Sequence, residues 1–344
     1  MCRTRHGFAP DIDAATTGRA GQDLKVQVMH LRIGTRRSPL AMAQTRHVMG
    51  LIQAKLPEAE FTLCPIVTIA DKDRVSEFHE FGMVGVFAVE HERQLVSGEV
   101  DFVVHSLKDL PTILHEGLVL ASVPEREDPR DALCGATLAS LRQGARVGTA
   151  SLRRRAQILN LRPDVEVVPI RGNVGPRLAR IGGDDALDAV ILAQAGLRRL
   201  ELAEASAEIL DPAQFPYAVG QGALGLEARA EDAGVIEVLQ AIQCPRARAE
   251  VEAERAMMHA LGAGCSLPVG ASATWRDGRL VLQAQVTSVD GTERVVAEAS
   301  DTSDRADALG LAVAAALTER GGGAILESSY RGHYPRFKAV PAKV

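Results

Sequence analysis

The chain has 344 residues, 46% of them hydrophobic and 24% charged, with a formal net charge of −5. That length exceeds one typical core and predicts two or three domains with a cleft between them. An acidic balance with 3% aromatic residues argues against nucleic acid as the main partner, and no apolar run approaches the roughly 20 residues needed to span a bilayer.

Residues 1–28 hold Arg3, Arg5 and Arg19 but no sustained apolar stretch, so they do not read as a secretory signal. They are expected to be a disordered extension or a mis-assigned start, with translation beginning at Met29. From residue 31 short β-rich runs alternate with helical stretches: Leu31 to Gly34, Phe61 to Ile69, Val100 to Val104, Leu118 to Val123, Ala145 to Thr149, Val165 to Ile170 and Ala189 to Ala193. This rhythm predicts an α/β fold. The charged, Pro-containing stretch from Glu125 to Asp131 marks one domain boundary and Pro216 to Gly222 another. Gly220-Gln221-Gly222-Ala223-Leu224-Gly225 matches GxGxxG, but no strand precedes it and the following residues read as helical; it is expected to serve a hinge or close packing, not a dinucleotide. In the last hundred residues, Asp290-Gly291 between two β-rich runs predicts a hairpin. Asp304 to Arg320 then reads as a helix capped by Ser303 and stopped by Gly321-Gly322-Gly323. A small α+β domain thus closes the chain.

In open α/β sheets ligands gather beyond the carboxyl ends of strands, where helix N-termini favour anions. Four such ends carry cations: Thr35-Arg36-Arg37-Ser38-Pro39, His105-Ser106-Leu107-Lys108-Asp109, Ala150-Ser151-Leu152-Arg153-Arg154-Arg155, and Arg171-Gly172-Asn173-Val174-Gly175-Pro176-Arg177. Arginine supplies 33 of the 39 basic residues, which suits bidentate recognition of carboxylates. Two junctions fall in each half of the α/β region, so the cleft between the halves should hold a polyanion. Asp109, a carboxylate in this basic setting, reads as an electrostatic and proton-handling catalyst for a reaction that passes through a cation.

Cys2, Cys64, Cys134, Cys244 and Cys265 are odd in number and widely spaced, which predicts reduced thiols in a cytoplasm. No spacing predicts a metal site. Cys265 stands apart in the glycine-rich loop Leu261-Gly262-Ala263-Gly264-Cys265-Ser266, which can present a thiol as nucleophile or tether; the other cysteines read as small buried hydrophobes.

The ordered motifs Arg32-Ile33-Gly34-Thr35-Arg36-Arg37-Ser38-Pro39, Val104-His105-Ser106-Leu107-Lys108-Asp109-Leu110-Pro111, Glu125-Arg126-Glu127-Asp128-Pro129-Arg130-Asp131, Gly148-Thr149-Ala150-Ser151-Leu152-Arg153-Arg154, Arg171-Gly172-Asn173-Val174-Gly175, Leu192-Ala193-Gln194-Ala195-Gly196-Leu197-Arg198-Arg199 and Ala218-Val219-Gly220-Gln221-Gly222 resemble the porphobilinogen deaminase (hydroxymethylbilane synthase) family from about Leu31 onward. The resemblance implies two lobes like those of periplasmic binding proteins plus a small C-terminal α+β domain. The first lobe comprises residues 30–124 and 217–240, the second 125–216, and the third domain 241–344. It implies a cytoplasmic monomer that joins four porphobilinogen units into hydroxymethylbilane, releasing ammonia, on a dipyrromethane cofactor bound through a thioether to Cys265. Asp109 matches the family's catalytic aspartate. Lys108, Ser106, Arg153, Arg154, Ser151 and Thr149 match cofactor-binding positions, and Arg36, Ser38, Gln44, Arg171, Arg177 and Arg199 match substrate-binding ones. The sequence departs from the family at Glu80 and Val84, where two lid lysines are usual, at Ile69-Ala70-Asp71, and at Ala150. Two other readings fit the same lobes: a non-catalytic polycarboxylate binder, and a deaminase whose altered lid impairs elongation.

Overall fold

The fold is described from a computed structural model covering residues 29–66, 89–183, 187–262 and 267–333. The first lobe opens with β1 (His30–Arg36), α1 (Pro39–Lys55) and β2 (Glu60–Ile66), followed by α2 (Val89–Val96), β3 (Phe102–Ser106), a 3-10 turn (Leu107–Asp109) and β4 (Leu118–Ser122). The chain then crosses to the second lobe: β5 (Asp131–Cys134), β6 (Arg146–Gly148), α3 (Leu152–Leu161), β7 (Glu166–Val168), α4 (Val174–Leu178), β8 (Ala189–Ala193), α5 (Gln194–Arg199) and β9 (Ser206–Ile209). It returns to give β10 (Leu224–Arg229) and α6 (Ala233–Gln240). The third domain contains α7 (Pro245–Ala260), β11 (Val269–Arg276), β12 (Arg279–Thr287), β13 (Arg294–Asp301), α8 (Ala306–Glu319) and α9 (Gly322–His333).

The first two sheets share one plan. Their strand orders are β2-β1-β3-β10-β4 and β7-β6-β8-β5-β9, parallel except for one antiparallel strand in the fourth place. In each lobe that strand is the first one formed after the chain has crossed over, β10 in the first and β5 in the second. The apolar residues Leu224, Leu226 and Ala228 of β10 complete a core with Leu31, Ile33 and Phe102. The third sheet is an antiparallel meander, β11-β12-β13, with α7 and α8 packed against it through Met257, Leu309, Val313 and Leu317. No single helix among the described residues is long and apolar enough to cross a membrane.

Four expectations need correction. The residues after Gly222 form strand β10, not a helix. They are buried almost throughout, so they lack the alternation that marks a half-buried strand. Ser303 starts a 3-10 turn, and α8 begins at Ala306 without a side-chain cap. Only Gly321 takes the left-handed conformation, with φ 97°, that ends α8; Gly322 and Gly323 already belong to α9. Of the cysteines read as buried, Cys134 is buried, whereas Cys64 and Cys244 are half-buried.

Candidate active site

β1 and β3 are parallel neighbours with Gly34 opposite Val103, so Arg36 and Ser106 leave the first sheet at the same end. Ser38 caps α1 by accepting from the Ala41 amide at 3.2 Å, and Pro39 fills the first helical position. From the next turn of α1, buried Gln44 bonds the Ser106 hydroxyl at 2.8 Å. Beyond Ser106 the 3-10 turn presents Lys108 half-buried and Asp109 exposed.

The second lobe offers a matching edge, where β6 lies between β7 and β8 with Gly148 opposite both Val168 and Val190. Thr149 is buried there, and its hydroxyl accepts from the Ser151 amide at 3.2 Å. Ser151 in turn caps α3 by accepting from the Arg154 amide at 3.4 Å. Arg171 is exposed, while Arg177 is half-buried and its Nε donates to the Gly172 carbonyl at 2.7 Å.

The arginines at the start of α3 differ from expectation. Arg153 and Arg154 are 4% and 6% exposed, and both converge on the fully buried Asp131 at 2.7 Å. Arg153 also donates to the Pro216 carbonyl at 2.8 Å and Arg154 to that of Ile191 at 2.9 Å. Burial by itself would raise the Asp131 carboxyl, but the two guanidinium groups outweigh it and hold the group at about 2. Rather than lying open at a helix mouth, the pair is already engaged within the protein.

Gln221 links the lobes. Its amide nitrogen donates to the Pro129 carbonyl at 2.8 Å and to Asp131 at 2.9 Å, while its oxygen accepts from the Lys108 ammonium at 3.3 Å. The flanking glycines let the crossing segments meet: Gly220 has φ 72° and Gly222 φ 83°, and a side chain on Gly222 would collide with the Glu127 carbonyl. The close backbone packing read from GxGxxG is thus visible in these contacts. Arg126 donates to the Gln221 carbonyl at 2.9 Å and grips Glu254 of α7 through two bonds of 2.8 and 3.0 Å. Asp131, Gln221 and Glu254 were not singled out from sequence. The two glycines around Gln221 were the available signal for it, whereas nothing local marks the other two as partners.

Lys108, Arg177 and Arg199 are held below their ordinary values. Burial, reinforced by Arg154, brings Lys108 down to about 8 against the opposing pull of Asp109 and Asp131. Burial and Arg154 bring Arg177 to about 10, again opposed by Asp109, which places Arg177, Arg154, Lys108 and Asp109 in one electrostatic neighbourhood across the cleft. Arg199 stands apart from that group: burial lowers it to about 10, and its guanidinium donates to the Gly222 carbonyl at 2.7 Å. Among the described residues no carboxylate forms an ion pair with Lys108, Arg177 or Arg199. Among the described residues these cations thus lack an ion-pair partner, with Asp109 exposed next to Lys108.

Residues 31–237 match the family model described as porphobilinogen deaminase, dipyromethane cofactor binding domain, and residues 248–319 match porphobilinogen deaminase, C-terminal domain. The chain belongs to the porphobilinogen deaminase family. It is 46% identical to the porphobilinogen deaminase of Desulforudis audaxviator, over 86% of this chain and 96% of that one. It is 44% identical to that of Pelobacter propionicus, over 88% and 97%. Among solved structures, a nutrient binding protein from Burkholderia cenocepacia bound to methionine is similar at TM-score 0.37 and 13% identity, covering 64% of this chain and 95% of that one, a likeness too loose to carry weight.

Membership in the porphobilinogen deaminase family brings a dipyrromethane cofactor, and the donor set fits one. The group carries several carboxylates, and the under-compensated cations Lys108 and Arg177 would hold them. Cys265 and the segment containing Glu80, Val84 and Ile69-Ala70-Asp71 lie outside the described residues, as do residues 1–28.

Proposed function

We propose that this chain condenses four porphobilinogen molecules head-to-tail into hydroxymethylbilane, with loss of ammonia, while the growing chain stays anchored at Cys265. The observation that carries the reading is the exposed Asp109 at the exit of β3, set among half-buried cations that have no carboxylate ion-pair partner among the described residues. Porphobilinogen brings two carboxylates, which suit Lys108, Arg177, Arg199, Arg36 and Arg171, with Ser38, Ser106, Gln44, Thr149 and Ser151 as neutral donors or cap-forming supports. Arg153 and Arg154 keep the second-lobe edge in place through Asp131 and add positive potential to the cleft. When bound, the dipyrromethane supplies the primer carbon at which the first unit is joined.

Asp109 does the chemical work of the protein. A carboxylate beside several ligand carboxylates is unfavourable in the ground state. That penalty is relieved as ammonia leaves porphobilinogen and positive charge spreads over the pyrrole, so Asp109 favours the transition state over the bound substrate. The same oxygen atoms can take up the proton released when the new carbon–carbon bond restores the aromatic ring. The two lobes and third domain divide at residues 30–124 with 217–240, 125–216 and 241–344, so that the cleft lies between two bodies bridged by Gln221. The free thiols of Cys64, Cys134 and Cys244 suit a reducing, cytoplasmic setting, and the chain is read as a monomer acting on a small molecule.

Intact mass spectrometry under denaturing conditions tests the whole reading. The wild type is expected to carry two linked pyrroles, absent from Cys265→Ser, and to add single pyrroles stepwise with porphobilinogen. A wild type without the adduct, and unable to acquire it from porphobilinogen or hydroxymethylbilane, would leave a non-catalytic polycarboxylate binder as the better account. An adduct with no stepwise addition would instead point to the altered lid.

A further inference from the structure

The turn that carries Asp109 is fixed at its two ends by different parts of the protein. At its entrance the Leu107 amide donates to the Ala223 carbonyl at 3.1 Å, and the Leu107 side chain packs against Gly225 of β10, where an added Cβ would lie 2.7 Å from it. The exit is irregular backbone: Leu110, Pro111 and Thr112 belong to no strand or helix, and proline has no N–H with which to join a ladder. Their carbonyls turn toward α7 of the third domain. There the Arg255 guanidinium donates to all three, at 3.2 Å to Leu110, 2.6 Å to Pro111 and 3.2 Å to Thr112. A planar fork with several N–H groups can span three carbonyls at once, which a single ammonium cannot do in the same geometry.

The same stretch of α7 is fixed from other directions. Glu254, the preceding residue, is fully buried, grips Arg126, and accepts from the Gly220 amide at 2.7 Å. Ala247 and Val251 pack with Leu107, Leu110 and Val123, and Arg248 donates to the Leu120 carbonyl at 2.8 Å. Arg255 is therefore an arm on a rigid support.

We propose that Arg255 is a positioning residue for the reaction: by holding the three carbonyls after Asp109 it sets where that carboxylate stands in the cleft, so the third domain contributes to the chemical step. This rests on Asp109 being the catalytic carboxylate, as argued above. It also gives α7 two tasks, because in the sequence the helix that carries Arg255 ends five residues before the proposed attachment cysteine, Cys265.

The test uses full-length, cofactor-loaded protein bearing Arg255→Gln, Arg255→Lys, Asp109→Asn, or Asp109→Asn with Arg255→Gln. Arg255→Gln should keep the cofactor adduct by intact mass and a KM for porphobilinogen within about twofold, while kcat falls about 30- to 100-fold, the scale of a 1 Å misplacement. Arg255→Lys should recover part of that loss. In the double variant, Arg255→Gln should cost nothing beyond Asp109→Asn, because a positioning effect disappears with the group it positions. A role confined to holding the domains together predicts additive losses instead, and additivity would overturn the proposal, as would a parental kcat in Arg255→Gln or a loss confined to KM. If Arg255→Gln does not fold, Arg255→Lys decides: a roughly five- to tenfold lower kcat at unchanged KM supports the inference, and a parental kcat sinks it. Near-normal turnover by Asp109→Asn would remove the underlying reading of the site. An inactive Asp109→Asn beside a normal Arg255→Gln would remove only this inference.

Discussion

The exit of β3 in the first lobe and the start of α3 in the other lobe have similar sequences, each setting cations just after a buried strand, yet they are in opposite physical states. At the β3 exit, Lys108 is half-buried and Asp109 exposed, and neither forms an ion pair with a described residue. At the α3 start, Arg153 and Arg154 are buried and bound to Asp131. One junction leaves its charges without an ion-pair partner among the described residues, whereas the other has committed its cations to a buried carboxylate. Residue type and position relative to a strand show where charge collects; only the partner across the fold shows whether that charge is available.

Two aspartates make the contrast measurable. Asp109→Asn is expected to lower turnover about a thousandfold, within the range for loss of a proton-handling group, with little change in stability because the side chain is exposed; steady-state ammonia release together with urea unfolding would show it. Asp131→Asn should do the reverse. It leaves two buried guanidinium groups without their anion, which costs about 3–5 kcal/mol of stability, read from the urea midpoint. Should Asp131→Asn unfold like wild type, or Asp109→Asn retain near-normal turnover, the contrast between the junctions would collapse.

A smaller effect follows from Lys108. Because its folded pKa lies at about 8, below the ordinary 10.5, the cation is lost as pH rises through 8. Then uptake of the polyanionic primer by cofactor-free protein should slow, approaching tenfold per pH unit for one titrating group, and Lys108→Arg should remove the fall. Stability should move the other way over the same window, since between 8 and 10.5 the unfolded chain holds a proton that the folded one has released. A pH profile that Lys108→Arg leaves unaltered would assign the titration elsewhere. Smallest of all is Arg198→Ala, which breaks a largely exposed pair with Glu127 at 3.0 Å; less than about 1 kcal/mol is expected, with unchanged kinetics, while Arg199→Leu beside it should raise KM.

What could be read from sequence follows the range of the physics involved. The hairpin near Asp290-Gly291 is local and formed where the residues said, whereas the cap read at Ser303 gave way to a 3-10 turn. Strand β10 was hidden because both its faces are buried and its partners, β3 and β4, lie far back in the chain. Strand β5 was hidden because Asp131, the end of a charged stretch that reads as a linker, is the buried anion of the second lobe. The cleft and its cations were legible as a pattern of strand ends. The engagement of Arg153 and Arg154, and the bridge through Gln221, depend on contacts between distant segments that no local pattern encodes.

The placement of β10 has a consequence for how the molecule comes off the ribosome. Strands β5 to β9 of the second lobe are contiguous in the chain, so that sheet can close as soon as Ile209 has emerged. The first lobe, although synthesised earlier, waits with a gap between β3 and β4 until Leu224–Arg229 arrives to fill it. Until then both strands offer unpaired edges to neighbouring chains, so a nascent chain stalled between these two points holds one finished lobe and one that invites aggregation.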